Sequence, residues 1–97
     1  MAHRLAPEAA DELDAIWYYI AKESGSIERA DRIVDAITRR FELLASQPRM
    51  GRVRDDLRPG MRGFAVGDYV ILYRLDEDDD VLILHVMHGR QDIQAHL

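Results

Sequence analysis

Two apolar runs on either side of an acidic stretch, YVILYRL-DEDDD-VLILHVMH at residues 69–88, decide the fold of this chain. Both runs are rich in β-branched, aliphatic and aromatic residues, which favour strands. The acidic stretch between them, residues 76–80, is long enough only for a turn. The sequence therefore predicts two antiparallel strands, Tyr69–Leu75 and Val81–His88, joined as a hairpin.

The flanking residues extend this hairpin into a sheet. Residues 61–66 also have the composition of a strand, and Gly67-Asp68 is expected to form a tight turn after them. Short connections of this kind make three consecutive strands an antiparallel meander. Near the start of the chain, residues 3–6 are extended and end at Pro7. That pattern predicts a short edge strand leading into a helix with proline in its first turn.

Two amphipathic helices are predicted between the edge strand and the meander. Their apolar stripes are Leu13, Ile16, Trp17 and Ile20 in the first, and Ala30, Val34, Ile37, Phe41 and Leu44 in the second. Gly25 is expected to end the first helix in a left-handed conformation, and Ser26 to cap the second, which stops before Pro48. Their short connection makes the pair an antiparallel helical hairpin.

The predicted fold class is α+β, in which the N-terminal helical hairpin packs on one face of a small, mainly antiparallel sheet. Ninety-seven residues suffice for one modest core, so residues 1–97 are expected to form a single domain. Residues 48–60 are rich in Gly, Pro, Arg and Asp and are predicted to be a long connecting loop.

The predicted strands carry apolar residues on both faces. On Tyr69–Leu75, Ile71 and Tyr73 alternate with Val70 and Leu72. On the last strand, the alternation is expected to oppose Val81, Ile83 and Met87 to Leu82, Leu84 and Val86. Two helices can cover only one face of such a sheet. Either loops of the chain or a bound partner must cover the other face, and a partner is the favoured interpretation.

Charge narrows the classes of partner. The net charge is −5, from 18 acidic and 13 basic residues, so direct nucleic-acid binding is not expected. The middle third of the chain is nevertheless basic, and all its basic residues are arginine. Those in and beside the long loop form either a solvated segment or a local patch for an acidic partner. They are Arg49, Arg52, Arg54, Arg58 and Arg62.

Composition also indicates where in the cell the protein is expected. The chain has no cysteine, which excludes a disulfide framework and a thiolate metal site. No apolar run approaches the ~18 residues of a membrane span, and the first residues lack the apolar stretch of a signal peptide. We expect a cytoplasmic protein without a membrane partner.

Neither a metal ion nor a cofactor is expected. The acidic turn matches the first three ligand positions of a calcium loop, but Val81 stands where glycine is required and Met87 where glutamate is required. We interpret it as a solvated hairpin turn. His85 and His88 are three residues apart on a predicted strand, so they are expected to point to opposite faces and not to share a metal.

Three ordered segments resemble a known family. They are LDAIWYYIA at residues 13–21, the stretch 51–62 with its ending LRPGMR, and YVILYR at 69–74 followed by HVMHGRQDI at 85–93. Their order and spacing extend over nearly the whole chain. In this respect the sequence resembles the ParE-like toxins of the RelE/ParE superfamily, which belong to type II toxin–antitoxin modules.

The resemblance implies a toxin that a cognate antitoxin holds inactive by wrapping its C-terminal segment over it. For the ParE branch it implies inhibition of DNA gyrase, and for the RelE branch it implies cleavage of mRNA on the ribosome. The sequence is closest to the ParE branch, so a gyrase inhibitor that is not an enzyme is the favoured function. A ribosome-dependent mRNA interferase and a degenerate, non-toxic member are the alternatives.

The alternatives place different demands on the same residues. An mRNA interferase needs a proton-transfer group and a cation on the phosphate, for which His88, Arg74 and Arg90 are the candidates. The RelE branch typically places further lysines, arginines and a tyrosine around its cleft and C-terminus. Residues 91–97 contain none of these, which favours a binding function.

Contacts to a target or an antitoxin are expected from three features. These are arginines that bind carboxylates bidentately, the uncovered apolar face, and the end of the last strand. The predicted contact residues are Arg58, Arg62, Val70, Leu72, Arg74, His88 and Arg90.

Overall fold

The computed structural model describes residues 2–97 and contains two long helices and a five-stranded sheet. In chain order the elements are β1 (His3–Leu5), α1 (Pro7–Ser24), α2 (Ile27–Ser46), β2 (Arg52–Val53), β3 (Arg62–Val66), β4 (Tyr69–Leu75), β5 (Val81–His88) and a short 3-10 helix (Gln94–His96). The strand order is β1-β5-β4-β3-β2, in which β1 runs parallel to β5 and the other neighbours are antiparallel. The predicted α+β class, edge strand and meander are confirmed.

The helical hairpin begins and ends where its sequence signals predict. Pro7 occupies the first turn of α1, and Gly25 ends that helix with a φ of 68°. Ser26 caps α2 through its hydroxyl, which accepts a backbone N–H at 3.1 Å. The second helix ends at Ser46.

The main core lies between this hairpin and one face of the sheet, which we call the helix face. Its buried members are Ala9, Leu13, Ile37, Phe41, Leu44, Ile71, Tyr73, Val81, Ile83 and Val86. They come from both helices and from the two central strands. Burial of these apolar side chains is the main source of stability for a domain of this size.

Trp17 departs from the predicted stripe. Its side chain is half-buried, and its Nε1 donates a hydrogen bond to Asp31 Oδ1 at 2.7 Å. The indole thus lies at the edge of the hairpin and joins α1 to α2. The prediction that Trp17 belongs to the buried core is wrong, because the indole N–H needs a polar partner that the helix-face core does not offer.

A β-bulge interrupts the pairing of β4 with β5. Leu72 of β4 pairs with His85 of β5. The next residue, Tyr73, pairs with Ile83, which leaves Leu84 as an extra residue in β5. Since side chains alternate along a strand, one extra residue inverts the alternation beyond it.

The bulge overturns two sequence-based predictions. Val86 lies in the helix-face core and Met87 on the other side of the sheet, the reverse of the predicted assignment. His85 and His88 were expected on opposite faces, yet both point to the side of α1. His85 contacts Glu12 of α1, and His88 borders a cleft against the same helix.

The opposite face of the sheet is covered by the chain itself. Its buried residues are Met61, Leu72 and Met87, against which Leu57, Val70, Leu84, Ile93 and Leu97 pack. The connecting loop and the residues after β5 supply this cover, and Leu72 retains 0% exposure. The favoured interpretation, that a partner is needed to cover this face, is therefore wrong, and the loop alternative is the one observed.

The connecting loop contains a strand that the sequence pattern did not reveal. Arg52 and Val53 form β2 and pair antiparallel with β3. Met61, predicted as the first residue of β3, precedes that strand and is buried on the opposite face. Two residues are too few for a periodicity to be recognised.

Candidate interaction surfaces

The connecting loop is anchored on one phenol. Tyr73 donates its hydroxyl to the carbonyl of Pro48 at 2.7 Å and accepts the Gly51 N–H at 2.8 Å. A Cβ at Gly51 would collide with the Tyr73 ring, so this close approach requires glycine. Burial raises the pKa of Tyr73, while the Gly51 N–H and the Arg62 charge act in the opposite direction.

Three of the loop arginines are engaged within the chain, and the first, Arg49, lies 3.6 Å from the Asp79 carboxylate. Arg62 Nη1 donates to the carbonyl oxygens of Gly51 at 2.8 Å and Arg49 at 3.3 Å. Arg54 donates twice to the Asp56 carboxylate, each time at 3.0 Å. These hydrogen bonds hold the pKa of Asp56 below its usual value. Arg62, one of the predicted contact residues, therefore holds the loop in place.

A shallow groove on the opposite face brings two other predicted contact residues together. Arg58 and Arg74 are both exposed and border about 390 Å³ of space, with Pro59, Met61 and Leu84 beside them. Within residues 2–97 neither arginine forms an ion pair. We call this surface the arginine groove. Free guanidinium groups beside apolar side chains suit a carboxylate on an amphipathic partner.

The second surface is a cleft of about 550 Å³ between α1 and the ends of β4 and β5. It is lined by Glu12, Ala15, Ile16, Tyr19, Tyr69, Val86, His88, Arg90 and Gln91. Ile16, Tyr69 and Val86 form an apolar floor, and the rim carries the polar side chains of Tyr19, His88, Arg90 and Gln91. We call this surface the α1–β5 cleft.

The rim of the cleft is shaped by a tight turn after β5. The His88 N–H donates to Gln91 Oε1 at 2.7 Å, and His88 Nδ1 accepts the Arg90 N–H at 3.1 Å. Because Nδ1 accepts, the neutral ring carries its proton on Nε2, which is the available donor. The imidazole stacks edge-on against Tyr69, with 5.2 Å between ring centroids. Burial is the main cause that raises the pKa of Tyr69.

Glu12 lines the α1–β5 cleft and is a residue that the sequence did not single out. Its Oε1 accepts the Val86 N–H at 3.1 Å, and both carboxylate oxygens lie 3.2 Å from His85 Nδ1. The carboxylate thus satisfies a backbone donor next to the bulge in β5. In the sequence Glu12 is one of several acidic residues near the start of α1. The available signal was its position four residues before Ile16, which places it on the sheet-facing side of α1.

The structure separates one of the three residues predicted for RNA cleavage from the other two. His88 pairs with Tyr69, and Arg74 lies five residues further along β4, a distance of roughly 16 Å. Arg74 borders the arginine groove on the opposite face, whereas His88 and Arg90 border the α1–β5 cleft. One phosphodiester group cannot contact both His88 and Arg74 in this arrangement.

Two predicted contact residues are internal. Val70 is half-buried and Leu72 is fully buried on the opposite face, beneath Ile93 and Leu97. A partner can reach Leu72 only if this cover moves. The members of the predicted set that reach the surface therefore form two pairs: Arg58 with Arg74, both exposed, and the half-buried His88 with the exposed Arg90.

A family model described as "ParE toxin of type II toxin-antitoxin system, parDE" matches residues 4–93. The chain belongs to the ParE toxin family. Toxin ParE3 of Caulobacter vibrioides is 37% identical over 94 residues, which cover 97% of this chain and 91% of that protein. Toxin ParE1 of Mycobacterium tuberculosis is 28% identical over 93 residues, which cover 96% of this chain and 94% of that protein.

Solved structures share the fold of this ParE-type toxin. The chromosomal ParDE toxin–antitoxin system from P. aeruginosa matches with a TM-score of 0.78 at 23% identity, over 91% of this chain and 95% of that chain. The toxin–antitoxin complex RelBE2 from Mycobacterium tuberculosis matches with a TM-score of 0.64 at 27% identity, over 90% and 95% of the respective chains. The hairpin-on-sheet architecture is thus that of ParE-like and RelE-like proteins.

The acidic turn of the toxin is held by the carboxylate of Asp76. Asp76 Oδ1 accepts the N–H groups of Asp78 at 2.9 Å and Asp80 at 3.0 Å, which confirms a hairpin turn. Across residues 2–97, no group of three or more His, Asp or Glu side chains is placed to hold a metal ion. Over the same range, no helix has the length and apolar character to cross a membrane.

Proposed function

We propose that this toxin binds and inhibits DNA gyrase, and that a cognate antitoxin neutralises it by occupying its exposed surfaces. Membership of the ParE family supports the first part. The second part is supported by structural neighbours that are described as toxin–antitoxin assemblies. Gyrase acts in the cytoplasm, which is therefore the proposed location of the toxin.

The separation of His88 from Arg74 is the main reason to favour gyrase binding over mRNA cleavage. In general acid–base catalysis of RNA cleavage, the proton-transfer group and the cation that binds the phosphate must contact the same phosphodiester. Here the two side chains border different surfaces on opposite faces of the sheet. Arg90 lies beside His88, but residues 91–97 contain no lysine, arginine or tyrosine that could join them. A protein-binding mechanism does not require His88 and Arg74 to lie close together.

The predicted contact residues take two kinds of role in this proposal. The exposed Arg58, Arg74 and Arg90 contact a partner directly, and the half-buried His88 lines the cleft beside Arg90. The remaining three act through the surfaces that they support: Arg62 holds the connecting loop, while Val70 and Leu72 pack beneath the covered face. Charge reversal at an exposed arginine should weaken binding without unfolding the chain, because these side chains make no ion pair within residues 2–97.

The decisive experiment exposes purified toxin to both candidate targets. In one arm, gyrase supercoils relaxed plasmid DNA in the presence of the toxin; in the other, translating ribosomes carry a labelled mRNA. We expect supercoiling to be inhibited and the mRNA to remain intact. Arg74→Glu and Arg90→Glu should weaken inhibition, whereas Arg40→Glu, which makes the same charge change on α2, serves as the matched control.

His88→Ala separates the proposal from its main alternative. A gyrase inhibitor should lose little activity in this variant. Loss of one general acid or base in a nuclease typically costs about a hundredfold or more in rate. Specific mRNA cuts that disappear in His88→Ala, with gyrase unaffected, would establish an mRNA interferase instead. Inactivity of the wild-type toxin in both arms would identify a degenerate member.

A further inference from the structure

Residues 90–97, which we call the C-terminal segment, are hydrogen-bonded to the rest of the chain through one residue. The His88 carbonyl accepts the Gln91 N–H at 3.0 Å, and the His88 N–H donates to Gln91 Oε1 at 2.7 Å. His88 Nδ1 accepts the Arg90 N–H at 3.1 Å. In the part of the chain that the structure describes, no other hydrogen bond joins this segment to the residues before it.

Apolar contacts hold the remainder of the C-terminal segment. Ile93 and Leu97 pack over the buried residues of the opposite face, which include Leu72 and Met87. These two residues are 0% and 1% exposed, so release of the segment would uncover apolar surface. The position of the segment therefore depends on two half-buried side chains and on the hydrogen bonds of His88.

One of these hydrogen bonds exists only while the His88 ring is neutral. Protonation places a hydrogen on Nδ1, after which both ring nitrogens are donors. The Arg90 N–H then loses its acceptor and faces a second N–H group. Histidine is the side chain that changes its charge between about pH 5 and 8. A modest fall in pH is therefore enough to break this contact.

The titratable groups around His88 do not replace the lost contact. They are Glu12 and Tyr19 of α1, Asp68 and Tyr69 at the start of β4, His85 of β5, and Arg90 and Asp92 of the C-terminal segment. The Glu12 carboxylate is occupied by His85 and by the Val86 N–H. Tyr69 stays uncharged in this range because burial raises its pKa. Arg90 adds a positive charge, and both aspartates are exposed, where solvent and salt weaken their effect.

We propose that protonation of His88 releases the C-terminal segment from the sheet. With a neutral ring, the segment is closed over Leu72 and Met87. With a protonated ring, the hydrogen bond from Arg90 is lost, and the open segment uncovers the opposite face. The open form binds the additional proton, so the stability of the closed form falls as pH falls through the range in which histidine titrates. This switch is a property of the chain itself and does not depend on its target or its antitoxin.

Amide exchange of the full-length toxin, followed by NMR, measures how often the segment opens. The exchange rate at each pH is divided into that of an unstructured amide at the same pH, which gives a protection factor. Two amides report different events: the Arg90 N–H bonds directly to His88, whereas the Ala95 N–H bonds within the segment, in a single 3-10 turn that needs its packing. We expect both protection factors to fall by about fivefold or more between about pH 7.5 and 5.5, as for the loss of one hydrogen bond. A soluble paramagnetic probe should broaden the Met87 methyl signal over the same range.

His88→Asn separates this switch from the other groups that titrate. The asparagine amide oxygen takes the place of Nδ1 as an acceptor and does not change its charge with pH. His3→Asn is the matched control, because it makes the same change in β1, where the ring packs against Phe41. We expect protection that is independent of pH in His88→Asn, and the wild-type dependence in His3→Asn. Thermal unfolding verifies that both variants fold.

The wild-type toxin alone also tests the proposal. The midpoint of the change in protection should coincide with the midpoint of the His88 ring, read from its Cε1–H signal. A different midpoint, or a pH dependence that persists in His88→Asn, would assign the effect to another group and overturn the proposal. Loss of protection at Arg90 with Ala95 and Met87 unchanged would show that the segment stays closed without this hydrogen bond, which also contradicts it. So would protection factors that do not change with pH.

Discussion

At the scale of single residues, the connecting loop depends on the hydroxyl of Tyr73. Tyr73→Phe leaves the Pro48 carbonyl and the Gly51 N–H without their partner in a buried place. We expect this variant to lose roughly 1–3 kcal/mol of unfolding free energy, measured by urea denaturation. Tyr18→Phe removes the hydroxyl of a residue that is 64% exposed and should change stability little. Equal losses in the two variants would show that the loop is not anchored in this way.

The same hydroxyl makes stability sensitive to alkaline pH. Tyr73 ionises near pH 10 in the unfolded chain, and burial raises its pKa in the folded chain. Between these two values the folded state binds more protons, so stability falls as pH rises. The wild type should therefore lose more stability above about pH 10 than Tyr73→Phe does. Parallel curves of unfolding free energy against pH would contradict the prediction.

At the scale of elements, β5 and α1 are joined through the carboxylate of Glu12. Glu12→Ala leaves the Val86 N–H without its acceptor, and we expect a loss of roughly 1–3 kcal/mol with faster amide exchange at Val86. Glu12→Gln keeps an oxygen acceptor and should retain more of this stability. Glu8→Ala removes an exposed carboxylate from the same helix and provides the control. Slow exchange at Val86 in Glu12→Ala would show that the bulge does not need this contact.

The helical hairpin offers a second test. Phe41 is 2% exposed and packs in the helix-face core, so Phe41→Ala should cost roughly 3–5 kcal/mol. Trp17→Ala should cost less, because the indole is half-buried and contributes a peripheral hydrogen bond to Asp31. Thermal unfolding of both variants shows which one loses more stability. A larger loss for Trp17→Ala would indicate that Trp17 is a core residue after all.

These elements also show what sequence alone can predict. The bounds of β4 and β5, the Gly25 terminus and the Ser26 cap follow from local signals, and local signals are present in the sequence. The bulge does not follow from local signals. Whether β5 accommodates an extra residue depends on its pairing with β4 and on the carboxylate of Glu12 in α1. An acceptor supplied from 74 positions away leaves no mark in a local pattern.

The residues of the candidate surfaces were predictable from the sequence, but their arrangement was not. Composition and the resemblance selected Arg58, Arg74, His88 and Arg90, all of which lie on accessible grooves or rims. Their division between two faces was not foreseen, since it results from the inverted alternation beyond the bulge.

At the scale of the whole molecule, the C-terminal residues complete the cover of the sheet. Ile93 and Leu97 pack over Val70 and the buried residues of the opposite face. The double variant Ile93→Ser/Leu97→Ser should expose this apolar surface and cause self-association, measured by size-exclusion chromatography with light scattering. Ala95→Ser changes an exposed position of the same segment and should not. A dispersed double variant would show that the loop alone covers this face.

The bulge in β5 has a consequence for how this toxin is compared with its relatives. A homologue that lacks one residue between Ile83 and Val86 would present the side chains after that point to the other side of the sheet, although its composition would hardly change. Matching such chains column by column without a gap would then equate residues that meet different partners. A single codon gained or lost here could redirect specificity in one evolutionary step, with no substitution at any contact position.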